Sequence, residues 1–442
     1  MAKVRVRIAP SPTGLCHIGV ARAALFNWVF ARHHGGAMIL RIEDTDVKRN
    51  IEGAVHTIID GLAWLGIDFD EGPFYQSQRL DRYNEIIGGL INKDSAYIEN
   101  DPEKGDCVRL RMPEGRMTYS DIVLGESGWD MSLLDDLVIR KSDGYPTYNF
   151  AVVVDDHDMQ ISHVIRGMEH FSNVPKQMAV YRALGWEPPE WAHFPLLMGP
   201  DGKKLSKRRD YSQYHIYSSI EDFRKAGYLP RTLVNFLMLI GWSPGDDSEI
   251  MDISDIISRF DMDRVVKTHS QMNGEKLLWM NGKYIRMFPP DELLDLLFPY
   301  IEAAGYDPAK YERGRLLGIV ELFQDNLELL AEFPVKAGYF LDEEVQFVEK
   351  AVRKHLKKEG AGEILAAVRE ALALVENFDE KSIEGALRSV AERRSAGFGK
   401  IAQPLRVAIT GGDVSPGINE TVARIGRERV LKRIDAALEK FF

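Results

Sequence analysis

The amino-acid sequence predicts an α/β unit built on a doubly wound parallel sheet, interrupted by a small β-rich insertion and followed by a mostly helical C-terminal half. Three observations carry this reading. The first 66 residues alternate strand, loop, helix, strand and helix patterns, core-strand character returns at 150–166, and helical periodicity dominates from about Leu229 onward. In order, Val4, Val6 and Ile8 alternate with Arg5 and Arg7 as a short strand, and Pro10-Ser11-Pro12-Thr13-Gly14 imposes a loop. From Cys16 to His34, Ala21, Ala24, Leu25, Trp28 and Val29 recur at helical spacing, with Gly35-Gly36 as the stop. Met38 to Ile42 reads as a buried strand ending in Glu43-Asp44-Thr45-Asp46, and Ile51 to Leu65 as an amphipathic helix closed by Gly66. Residues 97–147 show short alternating runs and turn signals, the mark of an inserted β-rich segment. The apolar runs Phe150–Val154 and Ile161–Arg166 are read as strands of the resumed sheet. In such a sheet, ligands collect beyond the carboxyl ends of the strands, which directs attention to residues 7–20 and 43–46.

Composition narrows the function classes. A chain of 442 residues, 45% hydrophobic and 28% charged, has material for several globular domains. Cys16 and Cys107 are the only cysteines and lie too far apart in sequence to form a CxxC metal site, so a reduced, cytosolic setting is expected. The N-terminal MAKVRVRIAPSP lacks an apolar signal core, and no stretch approaches the ~20 apolar residues needed to cross a bilayer. Net charge is −11, so any nucleic acid must be met by a local basic surface. Residues 391–442 carry ten Lys/Arg against six Asp/Glu, a candidate phosphate-contacting tail or an ordinary solvated helix face.

Two segments point to polyphosphate chemistry. His17-Ile18-Gly19 opens a helix after a Pro-rich loop, where free backbone N–H groups and the helix dipole favour a phosphate and Gly19 admits a nucleotide against the backbone. A helix-start histidine also serves simply as a cap. Gly202 to Arg209 forms a loop of five cations after an apolar run, suited to neutralising charge on a leaving polyphosphate or to facing solvent.

Taken together, these residues resemble the HIGH and KMSKS motifs of class I aminoacyl-tRNA synthetases, and the chain resembles the bacterial glutamyl-tRNA synthetases in particular. The resemblance runs through residues 7–14 (RIAPSPTG), 41–46 (RIEDTD), 142–148 (SDGYPTY), 153–157 (VVDDH), 279–285 (WMNGKYI) and 402–406 (AQPLR). It implies a Rossmann-like catalytic domain over 1–85 and 149–205, split by an acceptor-binding insertion at 86–148. The KMSKS loop and stem-contact helices would occupy 206–290, and a helical anticodon-binding domain 291–442. By the same resemblance His17, Gly19, Lys204 and Lys207 are catalytic. ATP would be held by these four together with Glu169, Leu197, Ser206 and Arg208. Glutamate would be held by Arg7, Ala9, Ser11, Glu43, Tyr148 and Arg166, with Asn149 in the same pocket. Arginine forks suit carboxylates. The competing reading pairs Arg7 with Glu43 at the ends of adjacent strands.

ATP with its Mg²⁺ is the implied cofactor pair, with no zinc and no protein metal ligand. Asp155-Asp156-His157, metal-like in composition, is read as a strand that cannot present three ligands to one ion. The implied partners are L-glutamate and tRNA(Glu), with no membrane, for a protein acting as a cytoplasmic monomer whose activation step needs bound tRNA.

Three departures stand out. Val20 occupies the fourth HIGH position, and the segment between Tyr97 and Cys107 is short. Asn326 stands where family members that discriminate against tRNA(Gln) tend to have arginine, so Asn326 is placed near the anticodon and charging of tRNA(Gln) joins the expectations. A few extra residues around Tyr211, Tyr214, His215 and Tyr217 have no assigned purpose. The alternatives are a catalytically weak tRNA-binding paralogue, a short paralogue that glutamylates a tRNA nucleoside, and a plain nucleotidyltransferase, which would leave the helical half unexplained.

Overall fold

Strand β1 (Arg5–Ile8) and strand β2 (Ala37–Ile42) pair in parallel from Arg5↔Ala37 to Ile8↔Leu40. In the computed structural model, which describes residues 3–100, 102–103, 105–205 and 209–442, these two strands lie at the centre of the first unit. Every residue of β2 is buried, as befits a strand covered on both faces. Helix α1 (Ile18–His33) crosses between them, its buried face running through Ala21, Leu25, Phe26 and Val29. Helix α2 (Ala54–Trp64) leads to β3 (Glu71–Tyr75), which extends the sheet in parallel from β2.

After α3 (Leu80–Asn92) the chain leaves the sheet. Strands β4 (Ala96–Glu99), β5 (Cys107–Leu110) and β8 (Leu137–Arg140) form a separate antiparallel sheet in the order β4-β5-β8. Strands β6 (Arg116–Asp121) and β7 (Gly125–Asp130) make a hairpin that turns back towards the first sheet.

Helix α4 (Tyr148–Asp158) then replaces the expected strand at Phe150–Val154. The error has a physical cause. All residues from Phe150 to Asp156 are buried, so the helix shows no polar face, and a short continuous apolar run cannot be told from a buried strand by periodicity. Asp155 and Asp156 are therefore neighbours on a helix rather than on a strand, and both engage arginines, as described below.

Strand β9 (His163–Gly167) lies beside β1, tied by Ser162 N–H donating to Arg5 O at 2.9 Å and Arg5 N–H donating to Ser162 Oγ at 2.8 Å. Helix α5 (Val174–Leu184) connects it to β10 (Glu190–Phe194), which pairs in parallel with β9 from Glu190↔His163 to Phe194↔Gly167. The ladders β3-β2-β1 and β9-β10 thus meet edge to edge at β1 and β9, giving the side-by-side order β3-β2-β1-β9-β10 with the winding reversing between β1 and β9. The hairpin joins it: β6 pairs with β10 at Trp191↔Asp121, reinforced by Ile122 N–H to Trp191 O at 2.8 Å.

Short strand β11 (Leu197–Met198) pairs with β12 (Ser270–Gln271). Between them lie α6 (Ile220–Ala226), α7 (Pro230–Leu239) and α8 (Ile253–Arg259). Of the unassigned residues, Tyr211 is buried and its hydroxyl donates to Asp201, while Tyr217 packs edge-on against Phe223 and Tyr228. Tyr211 thereby braces the turn at 199–205.

The chain divides into two compact units at Met280/Asn281, within α9 (Gly274–Arg286). The second unit is helical among the described residues, comprising α10 (Pro290–Ala303), α11 (Arg313–Phe323), α12 (Glu332–Leu341), the single turn α13 (Glu349–Ala351) and α14 (Ala361–Ala373). Helices α15 (Glu380–Arg393), α16 (Phe398–Thr410), α17 (Ile418–Ile425) and α18 (Arg427–Phe441) complete it. Leu365, Val368 and Leu372 on α14 and Ile383, Leu387 and Val390 on α15 recur every three to four residues and are buried.

The basic tail is only partly a surface. Arg433, 4% exposed, donates to the carbonyls of Ile409 and Asp342, both at 2.7 Å. Arg429 donates to Phe340 O and Asp342 O, and Arg427 to Val375 O and Glu376 O. Their guanidinium forks satisfy carbonyls near helix ends that would otherwise lack donors. Arg393, Lys400 and Lys432 remain exposed. No helix among the described residues is long and apolar enough to cross a membrane.

Candidate active site

A cavity of about 350 Å³ opens where the sheet reverses its winding, beyond the carboxyl ends of β1 and β9. From one side β1 and the loop after it contribute Arg7, Ala9 and Ser11, the start of α1 contributes His17 and Gly19, and the end of β2 contributes Glu43. From the other, α4 contributes Tyr148, β9 contributes Arg166, and Glu169, Leu197 and Lys204 follow. Most of the site residues expected from sequence are gathered here; Asn149, taken up below, is not in the wall. Ser206, Lys207 and Arg208 lie outside the described residues, and Asn326 belongs to the second unit, exposed, with its carbonyl accepting from Lys336 Nζ at 2.7 Å.

His17 is the N-cap of α1: its Nδ1 accepts from Gly19 N–H at 3.0 Å. Capping fixes the tautomer, because an accepting Nδ1 leaves the proton of a neutral ring on Nε2. The cap and phosphate readings of this histidine are therefore compatible. A Cβ at Gly19 would come within 3.1 Å of that Nδ1, so even alanine would crowd the cap.

Arg7 does not pair with Glu43. Its Nε donates to Asp156 Oδ1 at 3.1 Å and its Nη2 to Oδ2 at 3.4 Å, while Arg41 Nη1 reaches the same Oδ1 at 2.7 Å. All three side chains are at most 4% exposed. Asp155 continues the cluster, accepting from Arg79 Nε at 2.7 Å, Gln76 Nε2 at 2.8 Å and the Tyr83 hydroxyl at 2.9 Å. Burial works against a charged Asp156, but Arg7 and Arg41 outweigh it and hold the carboxyl below its ordinary range. Glu43 fares differently. Arg41 Nη2 is 3.7 Å from its Oε1, too far for a good hydrogen bond, and burial raises its carboxyl from an ordinary 4.5 to about 7 against the pull of Arg41 and Arg7.

Arg166 donates from Nε to His193 Nε2 at 3.0 Å and from Nη2 to Gln177 Oε1 at 3.0 Å. Its Nη1 is buried with no hydrogen-bond partner among the described residues, in a side chain that lines the cavity. Asn149 is not part of the cavity wall; its Oδ1 accepts from Gln177 Nε2 at 3.1 Å, so it steadies Arg166 from behind. Lys204 Nζ meets Glu169 Oε1 at 3.4 Å on the rim. The turn that carries Lys204 is tied at its base by Leu205 N–H to Leu197 O at 3.0 Å, Gly199 N–H to Lys203 O at 2.7 Å, and Arg209 Nη1 to Asp201 at 2.5 Å.

Two wall residues escaped the sequence reading. Arg22, 1% exposed, lies between Phe26 and Phe194, donates to Pro195 O at 2.5 Å, and is pushed down to about 9 by burial. His170 is pushed down to about 4 by burial and by Arg166. The signal for Arg22 was present: an arginine within the otherwise apolar stripe of α1.

The cavity wall thus combines buried arginines and a carboxyl with a helix N-terminus and a lysine-bearing turn. Comparison with known proteins agrees. The family described as "tRNA synthetases class I (E and Q), catalytic domain" matches residues 3–105 and 99–279, and the "Anticodon binding domain" family matches 292–438. The glutamate–tRNA ligase of Moorella thermoacetica is 39% identical over 487 aligned positions, spanning 99% of this chain and 98% of its own. The chain belongs to the glutamate–tRNA ligase family.

Among other ligases of this family, glutamate–tRNA ligase 1 of Syntrophus aciditrophicus is also 39% identical, over 98% of this chain and 97% of its own. The crystal structure of the glutamate–tRNA ligase from Elizabethkingia meningosepticum, in complex with its amino acid, superposes with a TM-score of 0.88 at 29% identity, with both chains fully covered. That from Elizabethkingia anophelis does so at 0.85. The family's aminoacyl-tRNA synthetase fold is thus present in both halves of this ligase.

Proposed function

We propose that the chain activates L-glutamate with ATP and transfers it to the terminal adenosine of tRNA(Glu). The observation that carries this reading is the one cavity whose wall includes Arg7, Glu43 and Arg166 together with His17, Gly19 and Lys204, in a member of the glutamate–tRNA ligase family. Glutamate would place its ammonium on Glu43 and its carboxylates on Arg7 and Arg166. Its α-carboxylate oxygen attacks the α-phosphorus of ATP as the bond to pyrophosphate breaks, giving glutamyl-adenylate. The tRNA 2′-hydroxyl then attacks the activated carbonyl and AMP leaves. No enzyme nucleophile is needed; alignment and charge stabilisation by the donors at the α1 N-terminus and by Lys204 and Lys207 supply the catalysis.

Mg²⁺ would arrive with ATP, since phosphate oxygens, water and a single carboxylate such as Glu169 match its preferences. Among the described residues no cluster of three His, Cys, Asp or Glu is arranged to hold a metal. Cys16 and Cys107 are not joined in a disulfide, which accords with a cytoplasmic protein.

Charging assays with labelled glutamate, ATP and purified isoacceptors test the reading. Label should accumulate on tRNA(Glu), and its absence with folded protein overturns the proposal. A second arm addresses tRNA(Gln). Asn326, exposed in the second unit, lacks an arginine fork, and glutamylation of tRNA(Gln) is the expected result; no product there confines the enzyme to tRNA(Glu).

Glu43 sets a pH dependence. Binding of the glutamate ammonium favours the charged carboxylate, so KM for glutamate should fall about tenfold per pH unit up to about 7 and level off above it, and Glu43→Gln should flatten the profile. In the unliganded protein the sign is opposite. With the folded value raised above 4.5, the unfolded chain binds fewer protons between 4.5 and about 7, so stability declines as pH rises across that window.

A further inference from the structure

Behind Arg166, away from the cavity, a chain of buried groups reaches into the hairpin formed by β6 and β7. Asp121, the last residue of β6, and His193 on β10 both have fully buried side chains, and His193 Nδ1 lies 2.5 Å from Asp121 Oδ2. His193 Nε2 in turn accepts from Arg166 Nε at 3.0 Å. The ring is confined by Trp191, nearly parallel at 6.3 Å, and by Phe171, edge-on at 5.4 Å.

The proton positions follow from donor and acceptor chemistry. A guanidinium Nε always carries hydrogen, so His193 Nε2 must accept, and the ring proton sits on Nδ1, donated to Asp121. The other carboxylate oxygen is committed: Asp121 Oδ1 accepts the backbone N–H groups of Val123 at 3.0 Å, Leu124 at 2.9 Å and His193 at 3.3 Å. The carboxylate is therefore fixed in rotation, and one oxygen alone faces the imidazole.

We propose that Asp121 and His193 are positioning residues which, by fixing the imidazole tautomer, hold Arg166 as the receptor for the acidic side chain of the amino-acid substrate. The inference rests on the reading that this cavity takes glutamate. Neither residue lines the cavity, whereas Arg166 does and presents a buried Nη1 unpartnered among the described residues. Rotation of the guanidinium would change which of its nitrogens is left for a ligand, and the acceptor at Nε together with Gln177 at Nη2 opposes it.

Asp121→Asn supplies the test. Because the three backbone N–H groups require an oxygen at the Oδ1 position, the new amide nitrogen faces His193 Nδ1 and donates to it. The proton moves to Nε2, where it opposes the Arg166 Nε–H. Loss of an acceptor by a buried charged donor should raise KM for glutamate about ten- to a hundredfold while KM for ATP stays within about twofold.

His193→Phe presents neither an acceptor to Arg166 nor a ring proton, so it cannot relay a change at Asp121 to the guanidinium. In that background Asp121→Asn should change KM for glutamate by less than about twofold. An equal rise in both backgrounds, or an equal rise in KM for ATP, would reduce the pair to a structural role and overturn the proposal.

Nitrogen NMR of the full-length wild type, with His193 assigned by difference from His193→Phe, adds a readout that needs neither activity nor a stable Asp121 variant. It should show a neutral ring protonated at Nδ1; an Nε2–H ring or an imidazolium overturns the inference. Wild-type charging of glutamate is measured alongside. Its failure removes the functional reading, whereas a wrong tautomer in an enzyme that charges glutamate removes only the positioning role.

Discussion

Replacing Asp156 with alanine is expected to cost about 3–5 kcal/mol of folding stability, because it strands the buried Arg7 and Arg41 guanidinium groups without their shared carboxylate. Chemical denaturation of the wild type and Asp156→Ala measures it, and a loss below about 1 kcal/mol would show that the cluster relaxes or hydrates at little cost. The magnitude exceeds that of surface ion pairs such as Arg353–Glu349, which contribute at most ~1 kcal/mol. The same pair sets an acid limit. With the folded carboxyl held below its ordinary 3.8, its stabilisation is complete above that value and is lost as pH falls through the folded one. Asp156→Asn should lose less than alanine, since an amide oxygen still accepts one guanidinium.

The second large effect falls on rate. Lys207→Ala should lower the rate of glutamyl-adenylate formation by about 10²–10³, the usual consequence of removing one preorganised donor from developing charge. Single-turnover formation of adenylate reads it directly, and an effect below about tenfold would move the leaving-group role to another cation, Lys204 first. Lys204 shares its charge with Glu169 at 3.4 Å and is more than half exposed, so its removal should be milder.

Much of the first unit was legible in the sequence, for reasons tied to particular residues. Alternation at Val4, Val6 and Ile8, followed by two prolines and a glycine, defines β1 and the loop that opens the cavity. The His17-Ile18-Gly19 and Gly202-Lys203-Lys204 segments carry their chemistry in consecutive residues, and the fold brings them to one place. Helix α4 was misread because burial on all sides erases the amphipathic signal. The partner of Arg7 was hidden for a related reason: Asp156 lies 149 positions away, and only the fold reveals that it meets the guanidinium, which sets aside the alternative pairing with Glu43.

The same limit hid Asp121–His193, which joins residues 72 positions apart. It also hid the internal use of Arg427, Arg429 and Arg433. An arginine bound to backbone carbonyls has no complementary residue type in the sequence, so it reads like one facing water.

The single register point between Trp191 and Asp121 has a consequence for engineering. A segment that enters and leaves the catalytic sheet within about sixty residues looks like a cassette to be excised or exchanged. Cutting it out would bare the outer edge of β10, where unpaired backbone groups invite pairing with another copy of the chain. Grafts between relatives should therefore carry β6, β7 and β10 as one block.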